Sequence, residues 1–149
     1  MLGLEWRRLL PAAVSDTRVP AVPFYFLALI AVISTVRSLI HLFAPDGGAQ
    51  SIAGIALDGP AGVAVVAIFA QWGASQLVLA LIYWVVMLRY RALTPLMLAV
   101  IVAEQLLRLL AGYLKPLLLA VPPPGAYYTY ALLPLALVML VWSLRKPAA

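Results

Sequence analysis

TPLMLAVIVAEQLLRLLAGYLK, residues 94–115, decides how the chain is read. As a helix rising about 1.5 Å per residue, it spans roughly 33 Å, enough for a hydrocarbon layer about 30 Å thick. It nevertheless carries Glu104, Gln105 and Arg108 near its middle. An ionised side chain at such depth costs about 2.5–3.5 kcal/mol on insertion scales, so other groups must answer these charges.

The rest of the chain has the same character. Of 149 residues, 66% are hydrophobic and 10% charged, against about a quarter charged in a soluble domain. The sequence therefore predicts an all-α integral membrane protein, a four-transmembrane-helix bundle forming a single domain over 1–149. The spans are placed at about 23–43, 61–88, 94–115 and 127–144. Thr94 is a candidate N-cap with Pro95 at the first helical position, where its missing N–H costs nothing. Pro122 to Gly125 reads as a rigid turn, and Pro134 as a bend in the last span. Before the first span, residues 1–20 mix Leu2, Leu4, Trp6, Leu9 and Leu10 with Glu5, Arg7 and Arg8, a pattern suited to an N-terminal interfacial segment. A signal peptide fits poorly, because the next apolar run is too long and no small-x-small site closes it.

Charge sets the expected threading. Arg7, Arg8, Arg18, Arg89, Arg91, Arg145 and Lys146 fall on one side, with Lys115 at the boundary of the other. By the positive-inside rule both termini are cytoplasmic and the acidic connection 44–60 is outside. The net charge of +5 thus reads as topology, with no call for a nucleic-acid partner. Tyr127, Tyr128, Tyr130 and Trp142 read as interfacial anchors. The 44–60 connection has turn signals at both ends and a mildly apolar centre, so a headgroup loop, a short strand or a short helix all fit.

With the spans antiparallel, depths can be compared. Glu104 and Arg108 fall roughly 16 and 10 Å from the outer end, Arg37 roughly 9 Å, and Gln71 roughly 15 Å. At 100° per residue Ser34, Arg37, Ser38 and His41 share a stripe, as do Glu104, Arg108 and Lys115. Gln71 and Ser75 share a side with Ala64, Ala67 and Ala74, which would admit a close neighbour. Ser34, Arg37, His41, Gln71, Ser75, Glu104 and Arg108 are therefore the candidate polar cluster, in the outer half of the membrane. The plainer alternative is structural: Glu104 and Arg108 pair at i, i+4, and the arginines snorkel. Arg37 makes two fixed positive charges against one carboxylate, so Asp46 or Asp58 folding back, a lipid phosphate or an anion is expected beside it. His41 reads as a hydrogen-bonding boundary residue.

Other chemistry lacks support. Without cysteine there are no disulfides or thiolates, and one histidine cannot build the usual zinc or haem site, so no cofactor is expected. No GxSxG, HExxH, P-loop or GxGxxG motif occurs.

FAQWGASQL (69–77), LRYRALTPLM (88–97) and AEQLLRLLAGYLKP (103–116) resemble an uncharacterised family of small four-span bacterial inner-membrane proteins. The resemblance covers about the middle half of the chain. It implies a bacterial cytoplasmic membrane and brings no activity or site residue. Three functions follow as expectations. The first is a non-enzymatic protein that self-associates or joins a partner membrane protein, and/or binds membrane lipid or another amphiphile at the cluster. The second is a channel or transporter using Glu104 for proton or ion coupling. The third is a small enzyme acting on a lipidic substrate.

Overall fold

The computed structural model describes residues 19–117, 119 and 121–145. Nearly all of the proposed interfacial segment, residues 1–18, lies outside them. Four helices form: α1 (Ala21–Phe43), α2 (Gly59–Arg89), α3 (Thr94–Leu114) and α4 (Pro124–Ser143), with one 3-10 turn at Arg91–Leu93 and no strand among the described residues. All four are long and apolar enough to cross a membrane.

Prolines explain where the starts differ from expectation. Pro23 lies inside the first turn of α1, Pro60 in that of α2, and Pro124 opens α4. A first-turn proline gives up no helical hydrogen bond, so these residues begin helices that the sequence reading started two or three residues later. Thr94 is not the cap expected of it. Its hydroxyl donates back to the Arg91 carbonyl at 2.8 Å, securing the 3-10 turn, and Leu93 stands at the cap position. Pro134 lies within continuous α4.

The bundle is two hairpins set together. α1 packs along α2, α3 packs along α4, and α1 alone bridges substantially to both members of the second pair. Pairings along the first hairpin run in opposite senses: His41 meets Gly73, Arg37 meets Gln76, and Thr35 meets Trp84. The helices approach closely at Gly73, where an added Cβ would stand 2.7 Å from His41 Cβ and 3.0 Å from the Leu42 nitrogen and Ser38 oxygen. The apolar core lies toward the other end, formed by Leu27, Ile30 and Ala31 of α1, Tyr83, Val86 and Met87 of α2, Leu98 and Ile101 of α3, and Leu132 and Ala136 of α4.

The α1–α2 connection is hydrogen-bonded turns to residue 53, then irregular chain over 54–58. Asp46 organises it: Oδ1 accepts from the Gly48 amide at 2.9 Å, and Oδ2 from those of Ser51 at 2.7 Å and Gln50 at 3.2 Å. Gly47 and Gly48 have φ of +59° and +75°, conformations that glycine adopts without a Cβ penalty. The Ser51 and Gly48 amides hold the Asp46 carboxyl well below the usual carboxylate range. A depressed native pKa stabilises the turn fully above the unfolded value, about 4, and this contribution is lost as pH falls toward the native one. After correction for intrinsic rates, the Gly48 and Ser51 amides should exchange slowly at neutral pH and lose protection in strong acid. Asp46→Asn should show weakened protection throughout, and unchanged protection in that variant would contradict this account.

Candidate functional site

α1 turns Arg37 toward α2, where its Nη2 donates to Gln76 Oε1 at 3.2 Å. Its guanidinium carbon lies 5.1 Å from the centre of the Trp72 ring and 5.9 Å from that of Tyr128. From α3, the Arg108 guanidinium approaches the same indole at 5.0 Å. Two cations thus share one π-system, an arrangement worth about 0.5–2 kcal/mol per contact, depending on desolvation. His41 stacks on Trp72 at 4.7 Å with ring planes 29° apart, and Phe69 meets both rings edge-on. His41 Nδ1 lies 2.7 Å from the Gly47 oxygen. A carbonyl only accepts, so the imidazole donates from Nδ1 and ties the loop to the helix end.

Arg108 is held by its own helix: Nε and Nη2 both donate to Glu104 Oε1, at 3.0 and 2.7 Å. Both bonds end on one oxygen, leaving Oε2 and Nη1 disengaged from each other. This is the i, i+4 pair read from the sequence, with 22% and 21% side-chain exposure for Arg108 and Glu104. It is the only carboxylate–guanidinium pair among the described residues. Arg37 lies within Coulombic reach of Glu104, Arg108, Tyr83 and Tyr128. Neither loop carboxylate answers Arg37 as expected: Asp46 is engaged by loop amides and Asp58 is exposed at the start of α2. The partner it does have is an amide, Gln76. The cluster therefore carries two guanidinium charges against one carboxylate.

Of the expected residues, Arg37, His41, Glu104 and Arg108 gather around Trp72. Ser34 is half-buried on α1 without a side-chain hydrogen bond to another described residue, and neighbouring Thr35 takes the polar contact, accepting from Trp84 Nε1 at 3.1 Å. Gln71 and Ser75 turn outward: both are exposed, and the Ser75 hydroxyl donates only to the Gln71 carbonyl. The face of α2 that meets α1 at this level is instead Phe69, Trp72, Gly73 and Gln76, the next stripe round. A mid-span indole was the available signal, because Trp72 lies eleven residues past Ala61, roughly 16 Å into the helix and away from either interface. Tyr128, expected as an anchor, is half-buried and faces Arg37, while Tyr127 and Tyr130 are exposed.

No family model, curated protein or solved structure matches the chain. The polar geometry alone must therefore indicate a role. Arg37 Nε, Tyr83 Oη and Gln105 Oε1 are buried with no hydrogen-bond partner. A buried polar atom left unmade costs about 1–3 kcal/mol, so these atoms mark places where a bound molecule or water would gain most. No group of His, Cys, Asp and Glu suited to a metal occurs among the described residues.

Proposed function

We propose that this is a non-enzymatic, multi-pass protein of the bacterial cytoplasmic membrane that holds a membrane amphiphile at the Trp72 cluster and self-associates. The observation that carries the reading is Arg37: a guanidinium inside the bundle with an amide and two aromatic rings around it, beside a second arginine whose carboxylate is already engaged. A net positive pocket in low dielectric favours one further negative group. The direct Glu104–Arg108 pair weighs against the coupling and enzymatic alternatives, because both need that carboxylate free to exchange protons. Self-association draws support from α2, where only 11% of the most apolar window is buried. Ala64, Ala67, Gln71, Ala74 and Val78 are all exposed along one face, a small-residue surface with one polar group of the kind that pairs transmembrane helices.

Native mass spectrometry of the full chain from mild detergent tests both parts. Wild type is expected to carry bound lipid and to appear in more than one copy, and Arg37→Met should reduce bound lipid at least tenfold while keeping its helical signal. Lipid-free wild type would refute the binding site, and a strictly monomeric particle would refute self-association.

A further inference from the structure

Three glutamines lie within the helices, each in a different setting. Gln76 bonds to Arg37 and Gln105 is buried in the bundle, whereas Gln71 points outward from α2, about 15 Å into its span. There its carboxamide has no hydrogen-bond partner among the described residues, because the Ser75 hydroxyl reaches only the Gln71 backbone carbonyl. Acyl chains can neither donate to it nor accept from it. A carboxamide carries both N–H donors and a carbonyl acceptor, so a second carboxamide at equal depth satisfies it on both counts. We infer that two copies of the chain pair in parallel along this face of α2, with the two Gln71 carboxamides bonded to each other; the inference rests on the self-association proposed above and names its surface and partner.

Threading and shape favour this arrangement. Copies inserted under the same positive-inside rule share one orientation, and a two-fold axis along the membrane normal then sets every position of α2 opposite itself. Ala64, Gln71 and Val78 recur at seven-residue spacing with Ala67 and Ala74 between them, all exposed on one side of α2. This is the repeat of a left-handed helix pair, in which a single polar residue fixes the register. Small side chains at 64, 67 and 74 let the two backbones approach until the carboxamides meet. α1 shows the contrasting case of a face suited to lipid. Its exposed line at the same spacing, Leu29, Val32, Val36 and Leu39, is bulky and wholly apolar. α2 departs from that pattern around Gln71, and the departure is what marks this face for a second copy.

The chain contains no cysteine, so a single introduced thiol reports on one position. Full-length protein in phosphatidylcholine liposomes is oxidised with Ala67→Cys, Ala74→Cys or Val78→Cys on the inferred face, and with Val36→Cys, Leu107→Cys or Val138→Cys on exposed positions of the other helices. A disulfide needs Cα atoms within about 7 Å, so the three α2 variants should cross-link to dimers and the other three should not. Parallel pairing joins all three like positions, whereas antiparallel pairing joins at most one. Energy transfer between donor- and acceptor-labelled copies, followed on dilution with lipid, gives the dissociation constant. Gln71→Leu should raise it at least tenfold, and Gln71→Asn should keep most of the affinity. Cross-linking from α1, α3 or α4 in place of α2, or Gln71→Leu associating like wild type, would overturn this face and leave self-association standing. Wild type that stays monomeric would overturn both.

Discussion

Gly73→Leu is expected to separate α1 from α2 and lower stability by about 3 kcal/mol or more, the largest loss anticipated from a single replacement in this chain. Even alanine meets His41 Cβ at 2.7 Å and two backbone atoms at 3.0 Å. The backbone atoms cannot rotate away, so the helices themselves must move apart. Alanine brings a helix-propensity gain of up to about 1 kcal/mol over glycine, whereas overpacking costs about 1–3 kcal/mol. The steric term wins, and Gly73→Ala should lose about 1–2 kcal/mol. Gly112→Ala is the control: the same exchange into open space should be neutral or stabilising by up to about 1 kcal/mol. Reversible unfolding in mixed micelles provides the measurement. Equal effects at positions 73 and 112 would show that the α1–α2 crossing does not depend on close approach. Because Gly73 sits beside His41 and adjoins Trp72, the variants that open the crossing should also lose bound amphiphile.

The second large effect is an asymmetry within the ion pair. Breaking a buried pair costs about 3–5 kcal/mol when one charge is stranded, and the partial exposure of Glu104 and Arg108 lowers that range. The two single variants should still differ. Arg108→Leu leaves one guanidinium and one carboxylate in the cluster, which stays neutral overall, and the cost should be about 1–2 kcal/mol. Glu104→Leu leaves Arg37 and Arg108 against the same indole with no anion, and should cost about 3 kcal/mol. The double variant removes one charge of each sign and should fall near about 1 kcal/mol, giving a coupling of about 3–4 kcal/mol in the cycle. Equal single effects would mean that Arg37 does not sense Glu104. Additive effects would mean that the pair itself contributes nothing.

The amino-acid order alone determined that this is a helical membrane protein with four spans, because length and apolar content settle whether a segment can satisfy its backbone inside a bilayer, whatever it packs against. It also determined the Glu104–Arg108 pair, since i, i+4 neighbours meet on any helix. Stripes on α1 and α3 could be read because charged residues there stand out from an apolar background. α2 offered no such contrast. It is apolar on every side, with Gln71 and Ser75 on one face and Gln76 on another, so neither hydrophobic periodicity nor polar content reveals its rotation about its own axis. The close approach of α1 at Gly73 decides that rotation, turning Trp72 and Gln76 inward and Gln71 outward. The partner of Arg37 was hidden for the same reason: which of several donors and acceptors at one depth actually meet depends on the crossing of helices distant in sequence. That crossing is set by side-chain shape at the contact, a property of two surfaces together that neither stretch carries by itself.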